Sequence, residues 1–195
     1  MSEINELVFI LDASGSMYAL REDVVGGFNS ILESQKKIEG ETYVTVVLFN
    51  SSGHTLVDRL NIKDVKALSL NDYVPQGTTA LYDAIGYSIK RIQKIHHYLR
   101  KEDIPSKLTF FITTDGYENA SQRFKAKEIK AMISELSIGG KWEFNFLAQG
   151  IDVEDYAEDL GLDRDCCACF ESTKAGTMQQ FAHINERVTA RRRGK

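Results

Sequence analysis

The chain reads Leu7-Val8-Phe9-Ile10-Leu11-Asp12-Ala13-Ser14-Gly15-Ser16 near its start, and this stretch decides the fold. Five consecutive apolar residues followed by turn residues are typical of a strand buried on both faces. A carboxylate and two hydroxyls then alternate along a turn that contains glycine, so all three side chains can point at one spot. The stretch therefore predicts a buried strand that delivers oxygen ligands at its carboxyl end.

The rest of the chain alternates strands with helices, which predicts an α/β fold: a Rossmann-like, doubly wound sheet with helices on both faces. Strands are predicted at residues 6–11, 42–50, 54–62, 107–114, 142–149 and 166–170, and helices at about 20–38, 81–99, 121–137, after Asp152, and from near Thr173 onward. The connection at 51–53 is too short for a parallel crossover, so the third strand must pair antiparallel with the second. We expect six strands, mostly parallel, with one antiparallel edge strand.

Two later segments can complete a site with the first turn. Thr79 lies in Gly77-Thr78-Thr79, just before a helical pattern, and Asp115 directly follows the apolar run that begins at Phe110. Ligands of open α/β sheets bind at the carboxyl ends of the strands. Carboxylate and hydroxyl oxygens are hard ligands that suit Mg²⁺ or Mn²⁺.

The chain resembles a von Willebrand factor A (VWA) domain. The family's metal-ion-dependent adhesion site consists of Asp-x-Ser-x-Ser, a distant Thr and a distant Asp, and this sequence offers Asp12, Ser14, Ser16, Thr79 and Asp115 in that order. The match extends over about residues 5–190. The resemblance implies that Ser14, Ser16 and Thr79 contact the metal directly, whereas Asp12 and Asp115 act through bound water. It also implies that a carboxylate from a partner protein fills an open coordination position.

Length and composition predict one globular domain over residues 1–195, with its core at about 5–190. The 195 residues are 43% hydrophobic and 27% charged, as in ordinary globular proteins. A net charge of −4 gives no basic surface for nucleic acid. We interpret the basic segment 191–195 as a solvated tail.

Cysteine usage and hydropathy favour a cytoplasmic protein. Cys166, Cys167 and Cys169 are too close together for good disulfide geometry and are odd in number, and we interpret them as part of a buried final strand. They lack the spacing of a zinc site. The five-residue apolar run is too short for a signal peptide, and no segment approaches the roughly 20 apolar residues of a membrane span.

Three functions are consistent with the sequence. The preferred one is an intracellular, metal-dependent protein-interaction module, not an enzyme; by analogy with similar bacterial proteins, its partner could be an AAA+ ATPase or a component of a stress-resistance system. The second is a Mg²⁺-dependent phosphohydrolase, but Ser14 stands where such enzymes have a second carboxylate for acid–base catalysis. The third is a structural subunit with an incidental metal.

Other notable residues are expected to be structural or to flank the site. We expect Asp83 to stabilise a helix N-terminus, His96 and His97 to lie on the surface, Trp142 to lie in the core, and Gly26-Gly27 to let a helix pack closely on the sheet. The partner-contacting surface is predicted at Met17 and Tyr18, at 76–78, and at 116–119, although half-burial of Met17-Tyr18 is an alternative.

Overall fold

The computed structural model describes residues 3–194, apart from the side chains of residues 154 and 155. Its centre is one six-stranded sheet in the order β3-β2-β1-β4-β5-β6. The strands are β1 (Asn5–Asp12), β2 (Thr42–Phe49), β3 (Gly53–Asn61), β4 (Lys107–Thr114), β5 (Trp142–Gln149) and β6 (Cys167–Phe170). Every neighbouring pair is parallel except β2–β3. The predicted Rossmann-like sheet with one antiparallel edge strand is therefore confirmed.

Five helices cover the two faces of the sheet. They are α1 (Arg21–Lys36), α2 (Leu81–Tyr98), α3 (Ala126–Ser137), α4 (Val153–Leu160) and α5 (Lys174–Arg192). Apolar residues of α1 and α5 pack on one face, and those of α2, α3 and α4 pack on the other. None of the described helices is long and apolar enough to cross a membrane.

The central strand β1 explains why both faces need helices. All eight of its residues are buried; Leu7, Phe9 and Leu11 face α1 and α5, while Val8 and Ile10 face α2. Each such side chain stabilises the fold by about 1.5–3 kcal/mol when it is buried. An uninterrupted apolar run is thus what a strand with two covered faces requires.

The cysteine strand is more exposed than the sequence predicted. Cys167 is partly buried and Cys169 is exposed, because β6 is a four-residue strand at the edge of the sheet that pairs with β5 alone. Cys166 precedes the strand, and all three cysteines are free thiols. The prediction of a strand is confirmed, and the prediction that it is buried is wrong.

The predicted solvated tail is also wrong for residues 191 and 192. Arg192 is buried, and its guanidinium donates to the backbone carbonyls of Gln35 (2.6 Å) and Ile38 (3.0 Å). Arg191 donates to the Lys141 carbonyl at 3.2 Å. The last turn of α5 is therefore hydrogen-bonded to the carboxyl end of α1. Lys195 lies outside the described residues.

The prediction that His96 lies on the surface is wrong. Its Nε2 lies 2.7 Å from Oε2 of Glu6, a fully buried carboxyl that Arg59 also approaches at 3.4 Å. The His96 ring packs edge-on against Trp142, which lies in the core as predicted. The cluster of Glu6, Arg59 and His96 lies near the amino end of β1, opposite the predicted site.

Of the paired glycines, Gly27 serves a contact between two helices, whereas the sequence suggested a contact with the sheet. A Cβ on Gly27 would lie 2.4–2.9 Å from atoms of Phe181 on α5, whereas a Cβ on Gly26 would meet nothing within 4 Å. Gly27 therefore permits the close approach of α1 and α5.

Candidate metal site

The predicted ligands meet at the carboxyl ends of two neighbouring strands. Asp12 ends β1 and Asp115 directly follows β4, and β1 and β4 are hydrogen-bonded neighbours in the sheet. The chain leaves β1 toward α1 on one face and leaves β4 toward α3 on the other, so the strand order reverses between them. Such a switch point is where α/β sheets bind ligands.

Hydrogen bonds join Ser14, Ser16 and Asp115 directly. The Ser14 and Ser16 hydroxyl oxygens lie 3.1 Å apart, and the Ser16 hydroxyl donates to Oδ1 of Asp115 at 2.7 Å. Ser16 belongs to a 3-10 turn (Gly15–Leu20) that follows the motif and sends its side chain back over the strand ends. The turn therefore brings residues 99 positions apart into contact.

Two hydrogen-bond donors hold the buried carboxylate of Asp12. Its Oδ1 accepts the Ser14 backbone N–H at 2.7 Å, and its Oδ2 accepts the Thr114 hydroxyl at 2.6 Å. Asp12 has no solvent exposure and Ser14 has almost none. The Asp12 carboxylate is thus fixed in orientation before any ligand arrives.

Thr79 joins the site through a neighbouring loop. Its backbone N–H donates to the Asn119 side chain at 2.9 Å, and the Asn119 N–H donates to the Thr79 carbonyl at 3.1 Å. A Cβ built on Gly116 would lie 3.6 Å from the Thr79 hydroxyl oxygen, which places that hydroxyl against the turn after Asp115. Among the described residues, none forms a hydrogen bond with this hydroxyl, so it is available to a ligand.

Glycine is required at position 77 to shape the Thr79 loop. Gly77 has a φ of +76°, and a Cβ there would lie 2.6 Å from the Ser51 hydroxyl oxygen. The Gly77 carbonyl accepts the Gly15 N–H at 3.1 Å, which ties this loop to the first motif. A side chain at position 77 would therefore disturb both loops.

Burial dominates the electrostatics of the two carboxylates. It raises the pKa of Asp12 from its ordinary value, although hydrogen bonds from Thr114 and Ser14 oppose the rise. Burial also raises the pKa of Asp115, against the hydrogen bond from Ser16. The charge of Asp115 raises the pKa of Asp12 further. Two carboxylates therefore repel each other in a poorly solvated pocket, an arrangement that a cation would relieve.

The donor set fits a small, hard cation. It offers two carboxylates and three neutral hydroxyls, and no soft ligand is among them. The described residues contain no group of three or more His, Cys, Asp or Glu side chains placed to hold a metal. A metal at this site would thus depend on the hydroxyls of Ser14, Ser16 and Thr79.

Sequence reasoning missed two supporting residues. The sequence predicts Thr114 only as part of a strand, yet its hydroxyl donates to Asp12. Tyr73, which is fully buried, donates its hydroxyl proton to the backbone carbonyl of Asp12, a role that the sequence does not predict. Thr114 could have been suspected because it precedes Asp115, but nothing local to Tyr73 signals a contact 61 residues away.

Asp83 is structural, as predicted, but it acts on a loop beyond its own helix. Its carboxylate accepts backbone N–H groups of Gln122, Arg123 and Phe124 at 2.8–2.9 Å. Glu118 similarly accepts the N–H groups of Tyr82, Ala120 and Ser121. These bonds hold residues 118–124 as a loop, which is why α3 begins at Ala126 and not at the predicted position 121.

Of the predicted partner surface, Tyr18 is exposed and Met17 is not. Met17 packs into the core beneath the 3-10 turn, whereas Tyr18 is 61% exposed. The exposed Tyr117 and Val74 lie on the loops that carry Asp115 and Gly77. Tyr18, Val74 and Tyr117 are therefore exposed side chains on segments that adjoin the predicted ligands.

Comparison with known proteins agrees with the fold. Solved structures similar to the chain include proximal thread matrix protein 1 from the mussel byssus (14% identity, TM-score 0.68, covering 96% of this chain and 46% of that one) and a von Willebrand factor type A protein from Catenulispora acidiphila (15%, 0.63, 94% and 42%). The vWF domain of the pilus tip protein Mfa5 from Porphyromonas gingivalis is also similar (12%, 0.69, 97% and 96%).

This chain spans under half the length of the first two of these proteins. A further structure of the mussel protein is described as having a zinc-occupied MIDAS motif, the metal-ion-dependent adhesion site. No curated protein sequence matches the chain. The family model for the von Willebrand factor type A domain matches residues 6–183, and the chain therefore belongs to the VWA domain family.

Proposed function

We propose that this VWA domain is a metal-dependent protein-interaction module. Mg²⁺ or Mn²⁺ would bind to Asp12, Ser14, Ser16, Thr79 and Asp115, and an Asp or Glu side chain of a partner protein would complete the coordination. The observation that carries the proposal is the linked set of oxygens at the switch point: Ser14 to Ser16 at 3.1 Å and Ser16 to Asp115 at 2.7 Å. The zinc-occupied motif of the mussel relative supports a divalent metal in this fold.

Charge balance supports a carboxylate as the partner's ligand. Two carboxylates roughly neutralise one divalent cation, and hydroxyl ligands add no charge. Mg²⁺ takes six ligands at about 2.0–2.1 Å and commonly keeps several waters. Because Ser16 and Asp115 lie on the accessible side of the site, a partner carboxylate can replace a water there.

The partners of Asp12 argue against a hydrolytic enzyme. The groups that donate to its carboxylate are the Thr114 hydroxyl and the Ser14 backbone N–H, and neither serves as a general base near neutral pH. We therefore propose no catalytic role for the site. An intracellular location is proposed from the three free cysteines, and an AAA+ ATPase or stress-system component stays a proposal by analogy.

Calorimetry on the metal-stripped protein tests the metal site first. Mg²⁺ and Mn²⁺ should bind at one site, and Asp12→Ala and Asp115→Ala should each weaken binding strongly. The control Asp64→Ala, which removes an exposed carboxylate from the 3-10 turn Ile62–Asp64, should leave binding unchanged. At a hundredfold excess over Kd, the metal should stabilise the fold by about 2.7 kcal/mol. Equal binding by wild type and both site variants would refute the metal site.

A second titration tests carboxylate binding. N-acetyl-glutamate methylamide should shift the NMR resonances of residues 14–18 and 115–119 in Mg²⁺, whereas N-acetyl-glutamine methylamide should not. EDTA should abolish the shifts, and Ca²⁺ should replace Mg²⁺ poorly because its bonds are longer and its coordination number is higher. Equal shifts in EDTA would refute coordination by a partner carboxylate.

A further inference from the structure

A second recess lies beside the metal site and differs from it in chemistry. Its volume is about 520 Å³, within the range of ordinary ligand pockets. Three tyrosines and three carboxylates line it: Tyr82, Tyr117, Glu118, Tyr156, Glu158 and Asp159. We call these six residues the tyrosine pocket.

The tyrosine pocket and the metal site share their supporting segments. Tyr82 comes one turn after Thr79, and Tyr117 comes two residues after Asp115. The Tyr82 N–H donates to Glu118 at 3.0 Å, so the two segments are tied together at the boundary between the sites. A peptide that reaches the metal would therefore pass close to the tyrosine pocket.

Aromatic rings form the wall of the tyrosine pocket. Tyr117 and Tyr156 stack with ring centroids 5.9 Å apart and an angle of 23° between their planes. Tyr117 is 54% exposed, so one face of its ring is available to a ligand. Tyrosine faces carry negative electrostatic potential and attract guanidinium groups in particular.

Tyr156 adds a hydrogen-bonding group to the tyrosine pocket. It is 4% exposed, and its hydroxyl oxygen accepts the Glu118 N–H at 2.6 Å. Among the described residues, none accepts the proton of this hydroxyl. The Tyr156 hydroxyl therefore still has a proton to donate, and an acceptor in a ligand, such as a peptide carbonyl, can take it.

The charges of the tyrosine pocket are not balanced by the protein. Four hydrogen bonds engage the Glu118 carboxylate, but the exposed carboxylates of Glu158 and Asp159 have no cationic partner among the described residues. No lysine, arginine or histidine lines the pocket in the part of the chain that the structure describes. The field in the pocket therefore favours a cation.

We propose that the tyrosine pocket binds an arginine side chain of the same partner whose carboxylate reaches the metal. The guanidinium would stack on Tyr117 and pair with Asp159 and Glu158, while a neighbouring peptide carbonyl accepts the Tyr156 proton. This inference rests on the proposed function for its partner, but the pocket itself needs no metal. The partner would then present an acidic residue and an arginine close together on one segment.

An NMR titration of the full chain with N-acetyl-arginine methylamide tests the pocket alone. In EDTA, this probe should shift the resonances of Tyr82, Tyr117 and Tyr156, whereas the neutral isostere N-acetyl-citrulline methylamide should not. The double change Glu158→Gln with Asp159→Asn should weaken arginine binding at least fivefold, and the remote control Glu102→Gln should not. Equal shifts by both probes, or no shift of the three tyrosines, would overturn the proposal.

A second experiment links the two sites. In Mg²⁺, the peptide acetyl-Glu-Gly-Arg-amide should bind at least tenfold more tightly than acetyl-Glu-Gly-citrulline-amide, and the double variant should lose that difference. If Asp12→Ala leaves metal binding intact, the proposed function fails while the arginine titration in EDTA still decides the pocket. If metal and glutamate bind but arginine gives no advantage, the tyrosine pocket proposal fails alone.

Discussion

Tyr73→Phe tests how the fold holds the turn at residues 12–16, which carries three of the proposed metal ligands. The substitution deletes one hydroxyl from a fully buried ring and leaves the backbone carbonyl of Asp12 without that donor. Leaving a buried acceptor unpaired costs about 1–3 kcal/mol. For a chain of 195 residues, each kcal/mol corresponds to roughly 2–4 °C in melting temperature, so we expect a loss of about 2–12 °C.

Urea unfolding in EDTA and in Mg²⁺ separates stability from metal affinity. The midpoint should fall in both conditions, with an unchanged dependence on urea. Because Tyr73 contacts the backbone of Asp12 and not its carboxylate, the affinity for Mg²⁺ should fall by no more than about tenfold, the lower limit for residues that support ligands.

Tyr98→Phe is the matched control, since Tyr98 is 77% exposed and should tolerate the same deletion without effect. If the Tyr73→Phe midpoint equals that of Tyr98→Phe, the hydroxyl of Tyr73 does not support the loop. A hundredfold loss of metal affinity with unchanged stability would also contradict this reasoning, since it would place Tyr73 among the ligands.

Three further substitutions test other contacts by urea unfolding. Gly77→Ala should lower the free energy of unfolding by at least about 1–2 kcal/mol because Gly77 has a positive φ. Its control Gly53→Ala should lower it less, because a Cβ at position 53 meets nothing within 4 Å. Gly27→Ala should destabilise the fold by about 1–3 kcal/mol because its Cβ would overlap with Phe181. The neighbouring change Gly26→Ala should stabilise the fold by about 0.5–1 kcal/mol. If both changes shift stability in the same direction, the assigned contact between α1 and α5 is refuted. Glu6→Ala should lower the free energy of unfolding by about 3–5 kcal/mol because it leaves His96 and Arg59 beside an empty buried position. A loss no larger than that of Glu102→Ala would contradict this prediction.

Much of the fold could be predicted from local patterns. The continuous apolar run of β1 requires two covered faces, and the short connection before β3 permits only antiparallel pairing. The placement of Asp12 and Asp115 at adjacent strand ends follows from the parallel pairing of β1 with β4. These features depend on periodicity and on the lengths of connections, both of which are visible in one sequence.

Features that depend on tertiary position could not be predicted in the same way. The cysteine strand is as apolar as a core strand, but its exposure depends on its place at the sheet edge. His96 lies toward the end of an amphipathic helix, and its contact with Glu6 joins residues 90 positions apart. Met17 is buried and Tyr18 exposed because a 3-10 turn follows the motif, which sequence alone left open.

The contrast between buried strand ends and exposed loops also affects how the domain would select a partner. The oxygens of Asp12 and Ser14 are buried and fixed by the strand ends, so their geometry depends on the sheet and not on the surface loops. A metal with one open position accepts any accessible carboxylate, and nearly every protein surface offers many of these. Selectivity must therefore come from the exposed surroundings, among them Tyr18, Tyr117 and Asp159. Substitutions in these loops should change which partner binds while metal affinity stays constant, and substitutions at the strand ends should weaken every partner equally.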